Sequence, residues 1–141
     1  MLKDFKTPFK KPARITNFLV DVSNVSFGRA SSAIANLLMG KLSAQYAKQF
    51  VSECYVYVKN VNALVLTGNK GREKVYRHSL YIGGLRGQER SKMSKDRLLS
   101  QAVSGMLPKN RLRKRLLKRL KFLSGDNLPP NIKSFREVTI S

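Results

Sequence analysis

The sequence is poor in acid, sulfur and histidine, and each shortage removes a class of function. Eight Asp plus Glu stand against 28 Lys plus Arg in 141 residues, a formal net charge of +20. The acids are Asp4, Asp21, Glu53, Glu73, Glu89, Asp96, Asp126 and Glu137, and no spacing among them poises a carboxylate pair for acid and base work. The single histidine, His78, rules out two-histidine metal signatures. The single cysteine, Cys54, rules out an intrachain disulfide and a CxxC zinc or redox pair, and reads as a small buried side chain in a reducing compartment. No apolar run approaches the roughly 20 residues that span a bilayer, and the start of the chain lacks a signal-peptide apolar block. These absences thin the list of enzymes and lead us to expect a soluble, unsecreted protein that uses no metal, cofactor, small-molecule substrate or membrane.

What is present points elsewhere. With 42% hydrophobic residues the chain can bury an ordinary core, and its length suits one domain. A fold carrying this much positive charge repels itself until a polyanion neutralises it, so nucleic acid is the first candidate partner. Residues 1–14 are basic, hold Pro8 and Pro12 and show no sustained period; they read as an extended arm. Residues 15–125 read as the domain, and residues 126–141, with Pro129-Pro130, as a C-terminal tail containing a short strand at Glu137 to Ile140.

Within the domain, Asn17 to Val22 reads as a strand ending at the turn Ser23-Asn24. Ala30, Ile34, Leu37 and Leu38 then fall at helical spacing between a cap at Ser26 and a stop at Gly40. Tyr55 to Val58 and Ala63 to Leu66 read as two further strands. Strand, helix, strand argues for an α/β fold built on a parallel crossover. Residues 70–90 read as a functional loop whose one strand-like piece is Val75-Tyr76. Ser94 opens a helix with Leu98, Leu99, Ala102, Val103, Met106 and Leu107 buried, ended by Pro108. Asn110 opens another, with Leu112, Leu116, Leu117, Leu120 and Leu123 on its buried side and Gly125 at its end.

The other side of that last helix carries the strongest functional signal. Lys109, Arg111, Arg113, Lys114, Arg115, Lys118, Arg119 and Lys121 bring eight cations to thirteen residues without one acid. Like charges so crowded oppose the helix until counter-charges arrive, which makes this side a phosphate-binding surface rather than a merely solvated one. A membrane-surface helix would also be basic and leucine-rich, but tryptophan is absent and the apolar stripe serves core packing. In the 70–90 segment, glycines allow close approach of backbone to phosphate. Lys70, Arg72, Lys74, Arg77 and Arg86 supply charge, and Tyr76, His78 or Tyr81 supply rings that stack on an unpaired base. Neither G-x-x-x-x-G-K-[ST] nor G-x-G-x-x-G occurs there, so it is not a nucleotide-cofactor loop. For His78 a structural hydrogen bond is the simpler reading than catalysis, since no acid or nucleophile accompanies it.

Several of these residues stand in a recognisable order. Thr67-Gly68-Asn69-Lys70, Lys74-Val75-Tyr76, His78 and Ile82-Gly83-Gly84 resemble the central motif of the family of the thirteenth protein of the large ribosomal subunit, in its bacterial and organellar form. Gly105-Met106-Leu107-Pro108-Lys109-Asn110, with Leu112 and Lys118-Arg119-Leu120-Lys121, is similar to that family's second signature, and Asp21, Gly28-Arg29 and Asn62-Ala63 match in order. The resemblance covers about residues 17–125. It implies a three-layer α/β/α fold around a four-stranded, mostly parallel sheet, and no catalysis. Large-subunit ribosomal RNA and neighbouring ribosomal proteins are the implied partners, not a second copy of the chain, in a bacterial cytoplasm or an organelle. Arg29, Lys70, Lys74, Tyr76, His78, Gly83, Gly84, Lys109 and Asn110 join the cations above as expected RNA-facing positions. The sequence departs from the family at Glu53-Cys54, where Gly-Asp is usual, at Arg113, where a glycine is expected, and in the tail. The alternative from composition alone is a general nucleic-acid-binding or DNA-compacting protein.

Overall fold

A computed structural model describes residues 15–44, 46, 51–124 and 134–140 of the chain. The expected arm, residues 1–14, and most of the expected tail lie outside the described residues. Strand β1 (Thr16–Asp21) leads through α1 (Phe27–Met39) to β2 (Cys54–Lys59). A hairpin of β3 (Lys74–His78) and β4 (Leu85–Glu89) follows, then α2 (Lys95–Met106), α3 (Arg113–Leu117), β5 (Leu120–Phe122) and β6 (Arg136–Thr139). The main sheet has the order β5-β2-β1-β6, and all three of its pairings are parallel. This is the α/β architecture around a four-stranded sheet that the sequence implied.

Register explains where the core lies. Phe18 pairs with Val56 and Val20 with Val58, which in turn pair with Leu120 and Phe122. Because side chains alternate across a strand, these residues share one face. Against it pack Ile34 and Leu38 of α1, Leu99 and Val103 of α2 and Leu116 of α3, in one continuous apolar cluster. Each such side chain, once buried, contributes roughly 1.5–3 kcal/mol. Of the three layers expected, the described residues supply the sheet and this helical layer. The opposite face carries Leu19, Tyr57, Lys121 and Glu137 in register, and Phe135 meets Tyr57 edge-on at 5.4 Å.

Helix α1 begins and ends where its sequence signals lie. Ser26 is the extended residue before it, although its hydroxyl makes no capping bond, and Gly40 closes it in the left-handed region at φ +76°. Gly40 is required on two counts, since a Cβ there would also stand 2.6 Å from the Ser52 Cβ. Ser52 itself donates its hydroxyl to the Leu38 carbonyl, tying the segment before β2 to the end of the helix.

Four expectations are corrected. Ala63 to Leu66 forms no strand: a 3-10 turn (Val61–Ala63) is followed by a single parallel bridge of Val65 to Ser26. The segment read as a loop is a five-pair antiparallel hairpin, from Lys74↔Glu89 to His78↔Leu85. The long leucine helix is cut to five residues, after which the chain turns and Leu120 joins the sheet beside Val56. Leu120-Lys121-Phe122 alternates apolar and polar, so a strand against β2 buries both apolar side chains and leaves Lys121 on the other face. In α2, Met106 was expected inside but is 45% exposed, because the helix ends there and Leu107 takes the buried position.

Candidate nucleic-acid interface

The hairpin sorts its cations by pleat. Lys74, Tyr76 and His78 share one face, and Arg77 lies on the other, directly opposite Arg86. At the base, Glu73 pairs with Arg90 at 2.7 Å and Glu89 with Lys92 at 3.2 Å. Toward the tip neither Arg77 nor Arg86 forms an ion pair among the described residues, while Asp96 lines a groove together with Arg77. Tyr76 is exposed, and its ring lies across Gly87, where a Cβ would meet ring carbons at 3.0 and 3.2 Å. The two expected stacking and charged groups, Tyr76 and Arg77, are therefore adjacent in sequence but face opposite ways.

The turn between β3 and β4 is built by hydrogen bonds rather than left open. The Ser79 N–H donates to the Gly84 carbonyl at 3.2 Å, and the Gly84 N–H to the Tyr81 carbonyl at 3.0 Å. His78 Nδ1 accepts the Leu80 N–H at 3.0 Å, and this holds Leu80 in the left-handed region at φ +57°. His78 thus makes the structural hydrogen bond expected of it. Gly83, at φ +77°, is exposed, but Gly84 is buried against Ser79 and Tyr81, so its role is close packing within the turn. That corrects the expectation that both glycines admit a phosphate. The turn projects Leu80 and Ile82 fully into solvent, at 96% and 103% exposure.

The second cluster surrounds α3. Asn110 Oδ1 accepts the N–H groups of Leu112 and Arg113 at 3.0 and 3.2 Å, so it caps the turn that leads into α3, while Leu112, the residue just before the helix, makes no side-chain capping bond. Arg113 reaches back to the carbonyls of Pro108 and Leu107 at 3.1 and 3.3 Å, which ties the turn to the end of α2. Arg119 is half-buried, its guanidinium 5.6 Å from the centre of the Tyr55 ring and its Nη1 enclosed without a partner. These bonds give Asn110, Arg113 and Arg119 work inside the fold. Lys109, Arg111, Lys114, Arg115, Lys118 and Lys121 are exposed. Lys70, in a 3-10 turn (Gly68–Gly71), and Arg72 are exposed beside the hairpin, while Arg29 is exposed on α1.

A groove of about 580 Å³ runs between the two clusters, lined by Arg77, Arg97, Ser100, Ser104, Leu117 and Phe122 among others. Arg97, on the first turn of α2, also lines a hollow of about 490 Å³ under the hairpin with Arg77 and Arg86. Sequence reasoning missed Arg97, whose only signal was its place in the basic stretch Ser91 to Arg97. Cys54 offers no competing chemistry, for burial pushes its thiol up against the opposing pull of the Ser52 hydrogen bond and the Arg119 charge. Among the described residues no group of three or more metal-ligating side chains forms, and no helix is long and apolar enough to cross a membrane.

The sequence profile of ribosomal protein L13 matches residues 15–129. The chain belongs to this family. Its relatives include the large ribosomal subunit protein uL13 of Thermobifida fusca, 44% identical over 115 residues that cover 79% of this chain and 77% of that protein. The uL13 protein of Ureaplasma parvum is 41% identical over 121 residues, covering 83% and 82%. That of a Geobacter species is 40% identical over 130 residues, covering 88% and 92%. The L13 family is a structural, non-enzymatic component of the large ribosomal subunit. Its profile takes in β1 to β5, both cationic clusters and the hollow under the hairpin.

Proposed function

We propose that this protein binds and positions large-subunit ribosomal RNA during assembly of the subunit, beside neighbouring ribosomal proteins. Residues 15–125 act as the RNA-binding domain, with residues 1–14 as its arm and residues 126–141 as a tail that returns β6 to the sheet. The observation that carries the reading is the run from Lys109 to Lys121, which exposes six cations and contains no acid, in a chain of the L13 family. Contacts of this kind fix position and register without reading sequence. RNA selectivity then comes from shape and from unpaired bases met by the hairpin.

The test compares binding of the purified full chain to large-subunit ribosomal RNA and to duplex DNA at matched salt. With about six to ten phosphate contacts, affinity for the RNA falls by roughly three to five powers of ten between 50 and 200 mM salt. Preference for the ribosomal RNA at every salt concentration supports the reading. Equal affinity for duplex DNA would make this a general nucleic-acid-binding protein instead. In a lysate, co-sedimentation with the large subunit near one copy per particle is the expected companion result.

A further inference from the structure

The hollow under the hairpin has the composition of a binding site for one nucleotide. Arg77 and Arg86 stand opposite each other across the ladder and turn toward Arg97 of α2. Like charges directly opposite on paired strands are destabilising, and no carboxylate pairs with any of the three arginines among the described residues. Three guanidinium forks around one hollow match a phosphate, which they bind with paired hydrogen bonds. The rest of the lining mixes apolar and aromatic side chains, Val75, the Tyr81 ring and Met93, only 8% exposed, at the foot of α2, with the polar His78, Ser79 and Gln88. At about 490 Å³ the hollow lies in the size range of small-ligand sites.

We propose that this hollow seats a single unpaired nucleotide of the bound RNA, with its phosphate among Arg77, Arg86 and Arg97 and its base against Tyr81 and Met93. The proposal rests on the RNA-binding reading above and adds the class of RNA element recognised. A base inside an A-form helix is stacked and its major-groove edge is out of reach, whereas a base in a loop or bulge can leave the stack and lie on an aromatic ring. Tyr81 is held for this by the turn itself, since its carbonyl accepts the Gly84 N–H and the residue before it is fixed by His78. His78 is accordingly a positioning residue: its Nδ1, in the acceptor form, holds Leu80 and through it the tyrosine.

The experiment uses the full chain and large-subunit ribosomal RNA, with photocrosslinking read by mass spectrometry and affinities measured across salt. A crosslink from Tyr81 to one unpaired nucleotide is expected, and deleting that base from an RNA fragment weakens binding about tenfold, as for other base–aromatic stacks. Tyr81→Ala weakens binding without changing the salt slope. Arg97→Gln weakens it and lowers the slope by about 0.7, one phosphate contact. His78→Asn, whose side-chain oxygen can accept the same N–H two residues on, retains affinity, whereas His78→Phe loses it. Each variant replaces an exposed side chain, and an unchanged far-UV spectrum confirms the fold. Wild-type affinity and slope in Tyr81→Ala and Arg97→Gln would overturn the proposal, while a lowered slope in Lys114→Gln would show that the RNA-binding reading survives it. Absence of salt-dependent RNA binding by the wild type would remove both. Saturable binding of free AMP at micromolar concentration, without competition by the RNA, would assign the hollow to a free nucleotide and overturn its assignment to RNA.

Discussion

Asp21 closes the carboxyl ends of β1 and β2, and replacing it with asparagine isolates what that closure contributes. One carboxylate oxygen accepts both the Ser23 N–H at 2.9 Å and the Ser23 hydroxyl at 2.7 Å. Asn60 donates to both oxygens at 3.2 and 3.3 Å, and Lys59 stands 3.4 Å away. Burial acts to raise the carboxyl, but the Ser23 bonds, then Asn60 and Lys59, outweigh it and lower it from 3.8 to about 2. At about 1.36 kcal/mol per unit this is roughly 2.4 kcal/mol in favour of the folded state. The side chain is 42% exposed, and solvent screening reduces the figure to about 1 kcal/mol. Since the folded value lies below the unfolded one, the contribution is complete above the unfolded value and disappears as pH falls through the folded one. Asp21→Asn therefore lowers the urea midpoint by about 0.5 M at neutral pH. The gap between wild type and variant stays constant from pH 7 to 5 and closes between about pH 4 and 2. The paired comparison cancels the titration of the other acids. A gap that persists unchanged at pH 2, or none at pH 7, refutes the reasoning.

Three other perturbations separate packing from RNA contact. Leu99→Ala empties a fully buried position between α2 and the sheet and costs about 3–5 kcal/mol, read as a lower urea midpoint at unchanged m-value. Gly84→Ala would place a Cβ 2.6 Å from the Ser79 hydroxyl and 2.9 Å from the Tyr81 carbonyl, so the turn loosens by about 1–3 kcal/mol. Hydrogen exchange at the Ser79 amide accelerates accordingly, while amides of β1 keep their protection. Arg119→Met replaces a half-buried cation having an unpartnered nitrogen with an apolar side chain of similar reach, so stability is equal or higher and the salt slope of RNA binding is unchanged. A slope reduced by about 0.7–0.9 would instead show that Arg119 meets a phosphate.

Much of the α/β frame was legible because local signals and burial agree. Ser26 stands at the start of α1 without a capping bond, the Ile34–Leu38 stripe faces the core, Gly40 closes the helix as its chemistry dictates, and Pro108 lies just past α2. The misreadings fall where long-range pairing overrides the local pattern. Leu112, Leu116, Leu117, Leu120 and Leu123 fit a helical face, yet the crowded cations weaken a continued helix and β2 offers Leu120 a ladder. Leu85 to Glu89, with its glycine and arginine, has little strand propensity, and only the pairing with β3 makes it a strand. For the same reason the site was legible in residue type but not in arrangement. The cations and rings of the 70–90 segment stood out, but the placing of Arg86 opposite Arg77 depends on a register no local pattern displays. Arg97 enters the site only because α2 begins under the hairpin.

The place of β1 in the sheet also bears on how the chain is made. Its inner edge pairs with β2, but its outer edge, Phe18 to Asp21, waits for Arg136 to Thr139, and Asn17 bonds Ser134 across 117 residues of sequence. A ribosome adding roughly 5–20 residues per second would leave that edge open for several seconds after β1 emerges. An open edge is a template for pairing with other chains, so nascent or truncated forms ending before Arg136 are the aggregation-prone species. For a protein of the ribosome, β6 is thus a seal on the edge that β1 presents until Arg136 to Thr139 are made.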